Sequence, residues 1–360
     1  MSVMYGNKLK ISIFGQSHSE EIGVIIDGLP AGIKIDREFL KSFMSRRAPG
    51  QAFSTPRKEA DEIEFVSGLN ERDETCGTSI CAVIKNTNVK SSDYSNLEKC
   101  PRPSHSDLTA YFKYGEKRDV RGGGQFSGRL TAPMCIAGGI ALSLLKQKGI
   151  NIGAHILKIG NIVDERYSFV DENINENQSD FPVINKAVAE LMKEKIIETS
   201  KLLDSIGGEI ECKITGMPVA IGGPLFDGVE NNLAKIMFAI PGVKGFEIGA
   251  GFSVSDKTGS QNNDLLTVKN GKIVTITNND GGINGGITNG MPIVFKIALK
   301  PTPSIGKPQQ TINLETLKEE IIEIKGRHDP CIAVRAVPVV EACSAIAILD
   351  MMLEGDNQWT

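Results

Sequence analysis

The chain has 360 residues, of which 40% are hydrophobic, and a formal net charge of −4. This composition is typical of a folded protein with a large core, built as one large domain or two of ordinary size. The balanced charge excludes a general affinity for nucleic acid or for anionic membranes, so any basic function must be local.

The N-terminal residues and the cysteines indicate the compartment. Residues 1–15 contain no long apolar segment with a small-residue cleavage site, and no apolar run reaches the roughly 18 residues of a membrane helix. The seven cysteines form no CxxC pair and never fall at ligand spacing with the four histidines. We therefore expect a cytoplasmic protein with free, buried cysteines and no metal site.

Hydrophobic periodicity predicts the main elements in chain order. Strands are expected at 9–14, 22–27, 62–66, 79–85, 209–215, 272–277 and 292–299. Helices are expected at 36–46 with Asp36 as N-cap, at 132–148, at 183–205, and at 338–353, where an almost wholly apolar helix should be buried. Residues 171–181 are expected to form an exposed connection, and residues 354–360 a fraying tail.

Three pairs of segments suggest an internal repeat. GLP at 28–30 resembles GMP at 216–218, PRPS at 101–104 resembles PTPS at 301–304, and two pairs of arginines eight residues apart precede apolar helices. Chance similarity in Gly/Pro-rich sequence is the alternative. If the repeat is genuine, 9–150 and 209–353 form two similar halves with a site built from equivalent loops between them.

The arginines point to an anion site. None of the 12 lies between Arg166 and Arg327, and eight stand in Gly/Pro-rich segments. The planar guanidinium binds carboxylate and phosphate through two parallel hydrogen bonds, whereas lysine acts as a point charge.

Two histidine motifs are candidates for acid–base chemistry. FGQSHS at 14–19 places His18 at the end of the first predicted strand, although a structural histidine is an equally good interpretation. RPSHSD at 102–107 places Arg102 and His105 in a proline-stiffened loop. It is followed by RGGGQFSGR at 121–129, whose glycines permit close approach of the backbone to an anion. The alternative for this glycine loop is a flexible turn.

Three later segments complete the candidates. GRHDP at 326–330 combines Arg327 with Asp329, either as a structural salt bridge or as an anion clamp beside a proton shuttle. KPTPS at 300–304 offers a cation and hydroxyls, and GGINGG at 281–286 offers close backbone approach. His328 and His155 are expected to be structural.

Together these segments resemble the chorismate synthase family. The motifs are GQSH at 15–18, RRAPG at 46–50, RPSHSD at 102–107, KYG and DVRGGG within 113–124, KGFEIG at 244–249, KPTPS at 300–304 and GRHDP at 326–330. The resemblance covers nearly the whole chain as a single domain. It implies an α+β fold with central helices between two antiparallel sheets, arranged as pseudo-twofold halves and assembled as a homotetramer.

The resemblance also implies the reaction and its partners. A carbon–oxygen lyase of this family removes phosphate from 5-enolpyruvylshikimate 3-phosphate by anti 1,4-elimination to give chorismate, the last common step of aromatic amino-acid biosynthesis. Reduced FMN is required without net redox change, and NADPH is needed only indirectly. An external flavin reductase is expected, because no additional reductase segment is visible, and neither nucleic acid nor membrane is an expected partner.

Residue roles follow from the matching positions. His18, supported by Ser17, would be an acid near the leaving phosphate, His105 would protonate or stabilise the reduced flavin, and Asp329 would relay a proton. The substrate's phosphate and two carboxylates would be held by Arg46, Arg47, Arg102, Arg129 and Arg335, with Arg47 also the NADP contact. FMN would be bound by Gln125, Phe126, Ser127, Gly285, Lys300, Pro301, Thr302, Pro303, Ser304 and Arg327. The family more commonly has arginine and serine at the positions of Gln125 and Phe126.

Two other functional classes remain open from the residues alone. One is an enzyme doing net flavin or nicotinamide redox chemistry on a phosphorylated substrate, although no Rossmann fingerprint is present. The other is a non-catalytic binding protein for a phosphorylated metabolite.

Overall fold

The computed structural model describes residues 3–48, 61–86, 97–174, 179–324 and 329–355. Within these ranges the helices are α1 (Arg37–Arg47), α2 (Asp107–Tyr114), α3 (Thr131–Gln147), α4 (Lys186–Lys201), α5 (Val229–Met237), α6 (Gly259–Asn262) and α7 (Ala333–Gly355). The strands are β1 (Met4–Tyr5), β2 (Lys10–Gly15), β3 (Glu21–Asp27), β4 (Glu64–Ser67), β5 (Ile80–Lys85), β6 (Asn151–Ile159), β7 (Ile162–Val163), β8 (Gly208–Thr215), β9 (Val243–Ile248), β10 (Leu266–Lys269), β11 (Lys272–Thr275), β12 (Ile283–Asn284), β13 (Ile287–Thr288), β14 (Ile293–Leu299), β15 (Gln309–Ile312) and β16 (Glu319–Ile322).

Two five-stranded antiparallel sheets form the outer layers. The first has the order β1-β2-β3-β5-β4, and the second has the order β7-β6-β8-β14-β9. The remaining strands pair as three hairpins, β10 with β11, β12 with β13 and β15 with β16.

The central layer consists of helices, mainly α3 and α7, which pack on each other. α3 faces β3 and β5 of the first sheet, while α7 faces β6 and β8 of the second. The two helices approach closely where Gly138 meets Ala342, because a Cβ on Gly138 would lie 2.3 Å from the Ala342 Cβ. One continuous apolar core therefore links both sheets through these helices, and the predicted α+β sandwich is confirmed.

Both central helices are apolar enough and long enough to cross a membrane, a property not expected from the sequence. However, 67% of the apolar window in Gly128–Gln147 and 89% of that in Ala333–Glu354 lie buried inside the fold. They are core helices of a protein whose interior needs apolar residues on every helix face.

Several predicted bounds were wrong. α4 spans Lys186–Lys201 and is therefore shorter than the predicted 183–205. It begins after Asn185, whose side chain accepts from the Ala187 amide as the N-cap, and it ends before Leu203, which has a positive φ of 58°. α7 begins five residues before the predicted Pro338 and continues through that proline. Phe181, placed in an exposed connection, is buried. The Pro49-Gly50 and Arg327-His328 positions lie outside the described residues, and so does the predicted tail beyond residue 355.

The predicted pseudo-twofold repeat stays a prediction. Its first part, 9–150, contains β2 to β5 and α3. Its second part, 209–353, contains all of β9 and β14 and most of β8 and α7. However, β6 lies between the two parts and pairs within the second sheet.

Candidate active site

The loop before α2 holds Arg102, His105 and Asp107 in one compact group. The Asp107 carboxylate accepts from Arg102 Nε at 2.7 Å and from Arg102 Nη2 at 2.8 Å. His105 Nδ1 lies 2.6 Å from Asp107 Oδ1. Ser104 turns the loop with a φ of +58°. A single carboxylate thus orients both the guanidinium and the imidazole.

The charges and burial of this group determine the protonation state of the His105 imidazole. Burial alone would raise the pKa of Asp107, but hydrogen bonds from Arg102 and His105 outweigh it and hold that pKa well below its ordinary range. Burial, together with the Arg102 charge, lowers the pKa of His105 despite the bond to Asp107. At neutral pH the imidazole is therefore uncharged, with Nδ1–H donating to the ionised carboxylate and Nε2 left as an acceptor.

The KPTPS loop lies against the Arg102 loop. Arg102 Nη1 donates to Ser304 Oγ at 3.1 Å, and Lys300 Nζ donates to the Ser104 carbonyl at 2.5 Å. Burial and the neighbouring charge of Lys244 lower the pKa of Lys300. The two segments proposed as repeat equivalents thus meet at one place, where the charge of Lys244 acts on Lys300.

The first histidine motif lies against the triple glycine. Ser17 N donates to the Gly124 carbonyl at 3.0 Å, and Arg102 Nη2 donates to the Gly122 carbonyl at 2.8 Å. A Cβ on Gly122 would lie 2.7 Å from Ser17 Oγ and 2.8 Å from His18 Nε2. The loop therefore needs glycine at this position in order to place His18 and Arg102 on its two sides.

A second group of arginines surrounds Asp61. Arg47 Nη1 donates to Asp61 Oδ2 at 2.5 Å, and Arg129 Nη1 donates to Asp61 Oδ1. Arg335 Nε donates to the Arg47 carbonyl at 3.1 Å, and Arg335 Nη1 donates to Asp329 Oδ2 at 2.7 Å. Three of the predicted anion-binding arginines therefore lie together.

Three further hydrogen bonds join the groups into a ring. Thr302 Oγ1 donates to the Asp329 carbonyl at 3.0 Å, which connects the KPTPS loop to Arg335. Arg129 Nε donates to Asn86 Oδ1 at 3.0 Å, and Asn86 Nδ2 donates to the Ser19 carbonyl at 2.8 Å beside the first histidine motif. The ring contains five cationic side chains (Arg47, Arg102, Arg129, Lys300 and Arg335) and three carboxylates (Asp61, Asp107 and Asp329).

Arg46 points away from this ring. Its guanidinium forms a two-bond pair with Glu341 of α7, at 2.6 and 3.0 Å, and Glu341 also accepts from the Ala154 amide. This pair ties α1 to α7 and β6. The predicted contact of Arg46 with substrate stays a prediction.

The glycine-rich segment continues along an open, polar cavity of about 330 Å³. Ser127 accepts from the Arg129 amide at 3.1 Å, and Phe126 is 40% exposed. The cavity is lined by Gln16, Ala110, Tyr114, Lys117, Arg118, Asp119, Arg121, Gln125 and Phe126. The predicted flavin contacts Gln125 and Phe126 therefore face solvent-accessible space beside the first histidine motif.

Four other residues are predicted to bind the cofactor, and the structure describes three of them. Gly285 stands in the turn between β12 and β13, against the segment that contains Gly222, with open space where a Cβ would lie. Pro301 and Pro303 flank Thr302 within the KPTPS loop. Arg327 lies outside the described residues.

Sequence reasoning assigned no role to four residues of the candidate site. Asp61 and Asn86 stand in no motif, so nothing in the sequence distinguished them from surface polar residues. Lys244 had a signal, since it begins KGFEIG, but the motif alone indicates no role for it. Asp107 belongs to RPSHSD, and its spacing two residues after His105 could have indicated a partner for the imidazole.

The chain is similar to known proteins over nearly its whole length. The sequence profile described as chorismate synthase matches residues 9–353. A chorismate synthase of Lancefieldella parvula is 42% identical over 366 residues, which cover 98% of this chain and 96% of the relative. A chorismate synthase of Methanosarcina barkeri is 45% identical over 353 residues, covering 97% and 96%.

A solved structure is also similar. A crystal structure of a chorismate synthase superimposes on this chain with a TM-score of 0.76 at 25% sequence identity. The match covers 97% of this chain and 93% of the solved one. Sequence and fold therefore agree along the chain.

Proposed function

This chain belongs to the chorismate synthase family, and we propose that its ring of arginines, histidines and lysine binds 5-enolpyruvylshikimate 3-phosphate and removes its phosphate. Chorismate synthase activity is that of a carbon–oxygen lyase of the shikimate pathway. The observation that carries the proposal is the ring itself, because one circuit of hydrogen bonds joins both histidine motifs to four of the five predicted anion-binding arginines.

The charge of the ring suits the substrate. Five cations face three carboxylates, so the ring carries excess positive charge before any ligand binds. A substrate with one phosphate and two carboxylates supplies the missing negative charge, and guanidinium groups bind each of these by parallel hydrogen bonds. Arg47, Arg102, Arg129 and Arg335 are the proposed contacts.

His18 is the proposed acid at the leaving phosphate. It lies beside Gly122, whose carbonyl is bonded to Arg102, so a phosphate held by Arg102 would be near the imidazole. Ser17 Oγ accepts from the Gly123 amide and lies 3.3 Å from the Arg121 carbonyl. These contacts fix the position of the first histidine motif relative to the glycine loop. Proton donation to the departing oxygen would lower the barrier to elimination.

The KPTPS loop fits the phosphate of FMN. Lys300 supplies positive charge, the charge of Lys244 is close enough to lower its pKa, and Thr302 and Ser304 add hydroxyls, which together form the donor set that a phosphate requires. Ser127, Gly285 and Arg327 would complete the site, with Gln125, Phe126, Pro301 and Pro303 as walls. When bound there, reduced FMN would supply electron density for the elimination of phosphate and the C6 hydrogen without net redox change.

His105 and Asp329 are the proposed proton-handling residues beside the flavin. Because His105 is neutral, with its Nδ1 proton held by Asp107, its Nε2 is an acceptor that a bound ligand could use. This geometry favours stabilising the reduced cofactor over protonating it. Asp329 is held by Arg335 and lies next to Thr302, between the proposed substrate and flavin positions, where it would relay a proton.

The remaining partners follow from the family. We propose a cytoplasmic homotetramer supplied with reduced flavin by an external reductase. We propose that NADPH acts only indirectly, through reduction of the flavin, with Arg47 as the position of any nicotinamide contact.

The test is an anaerobic assay of the full chain with 5-enolpyruvylshikimate 3-phosphate and reduced FMN, following chorismate and phosphate together. We expect equal amounts of both products, with many turnovers per flavin and no consumption of reductant. Stoichiometric oxidation of flavin would indicate net redox chemistry instead. Binding of the substrate without product would indicate a non-catalytic protein.

A further inference from the structure

We propose that Asp61 is a positioning residue that orients Arg47 and Arg129 toward the anionic groups of the substrate. The inference rests on the proposed function and adds a residue to it. Asp61 precedes β4 and belongs to no motif, yet it bonds to two of the arginines that the substrate would need.

The order of burial places Asp61 behind the arginines. The exposed fraction of the side chain is 1% for Asp61, 4% for Arg47 and 11% for Arg129. Asp61 is therefore the least able of the three side chains to contact a ligand itself. Asp61 thus bonds to the two arginines from within the protein and does not compete with a ligand for their exposed N–H groups.

The other bonds of the arginines turn this contact into a fixed geometry. Arg47 Nε donates to Thr131 Oγ1 at 3.1 Å, and Arg129 Nε donates to Asn86 Oδ1 at 3.0 Å. Each guanidinium is thus anchored at Nε on its own side and at Nη1 on Asp61. Since a guanidinium is planar, two anchors define its plane and the direction in which its remaining N–H bonds point.

The electrostatics explain why a carboxylate is needed. Two buried guanidinium groups that share one carboxylate repel each other, and the charge of Arg335 adds to the repulsion on Arg47. Burial alone would raise the pKa of Asp61, but the charges of Arg47 and Arg129 outweigh it and lower that pKa. The carboxylate therefore stays ionised while it holds the two cations side by side, and one net positive charge remains for the ligand.

The experiment compares Asp61→Asn with wild type in the full chain. Loss of the charged bond should raise KM for the substrate about tenfold and weaken binding of inorganic phosphate by a similar factor. We expect kcat at saturating substrate to change by less than about threefold, because Asp61 acts through the arginines and not on the reacting atoms. Asp61→Glu keeps the charge but moves it by one methylene, and should give intermediate values.

Glu211→Gln is the matched control. Glu211 is also a buried carboxylate that accepts from an arginine, Arg166 Nε at 2.7 Å, but it lies on the second sheet outside the ring. Its loss should lower the melting temperature and leave both KM and phosphate affinity unchanged. A purely structural role of Asp61 would give the same result as this control.

The outcomes are distinct. Unchanged or tighter phosphate binding by folded Asp61→Asn overturns the proposal, and so does wild-type protein that binds no phosphate. If Asp61→Asn does not fold, Asp61→Glu decides, since wild-type KM and phosphate affinity in that variant would overturn it. Phosphate titration by calorimetry needs no turnover. Phosphate affinity could therefore fall from wild type through Asp61→Glu to Asp61→Asn even if the wild-type protein makes no chorismate. That result would refute the proposed function and not the role of Asp61.

Discussion

Gly122→Ala gives a direct test of the contact between the glycine loop and the first histidine motif. The residue has a φ of +64°, and an added Cβ would meet Ser17 Oγ at 2.7 Å and His18 Nε2 at 2.8 Å. Ordinary contacts between such atoms begin near 3.4 Å, so His18 would have to move by roughly 0.6 Å or more, within the ~1 Å scale at which misplaced catalytic groups cost about 100-fold in rate.

The substitution also has a cost in stability that is separate from its cost in activity. A side chain at positive φ destabilises the folded state by about 1–2 kcal/mol. Gly271→Ala is the matched control, because Gly271 has a φ of +74° in the β10–β11 turn and an added Cβ there meets nothing within 4 Å. Both variants should lose similar free energy of unfolding.

Activity should separate the two variants. We expect kcat for chorismate formation with reduced FMN to fall about 100-fold in Gly122→Ala, which corresponds to roughly 2.7 kcal/mol, and to stay near wild type in Gly271→Ala. Denaturant unfolding of both proteins supplies the stability comparison. If Gly122→Ala turns over at the rate of Gly271→Ala, His18 does not act at the position the structure gives it.

Three further predictions follow from the site and the core. His105→Ala and Asp329→Asn should each lower kcat by about 100-fold or more with little change in melting temperature, and near-normal phosphate release under anaerobic conditions would refute their roles. Lys300→Met should weaken FMN binding about tenfold in a flavin titration, whereas Lys307→Met, outside the ring, should not. Burial lowers the pKa of His155, but bonds to two carboxylates outweigh it and raise that pKa. The stabilisation by His155 is then complete below about pH 6.5 and is lost as the pH rises through the raised pKa of the folded state. His155→Gln should therefore remove this pH dependence of the free energy of unfolding. Equal pH dependence in the variant and in wild type would contradict this prediction.

The elements that could be predicted from the sequence have strong local signals. α1, predicted at 36–46, lies at Arg37–Arg47, with Asp36 accepting from the Phe39 amide as its cap. The predicted strands at 9–14, 22–27 and 79–85 match β2, β3 and β5 within one residue, since β-branched residues fill them. In these segments propensity, pattern and capping agree with the final fold.

The elements that were missed lack such agreement. α2 is a short helix inside a segment rich in motif residues, and Ser106 makes no side-chain cap bond. β9 has the sequence VKGFEI, in which a glycine and two charged residues hide the strand, and it is ordered by pairing with β14 on one side only. For both elements, tertiary contacts determine the structure, and the local sequence pattern does not indicate those contacts.

The same limit explains why the site could be predicted as a set of motifs but not as a geometry. Arg46 and Arg47 are neighbours in one motif, and the sequence offers no reason to separate them. On α1, however, successive residues point about 100° apart, so the two guanidinium groups cannot serve one ligand equally. The fold sends Arg46 to Glu341 on α7 and Arg47 to Asp61. Both directions depend on carboxylates outside the motif, 295 and 14 residues away along the chain. Arg47 is therefore the better candidate for substrate contact on grounds that only the tertiary structure could supply.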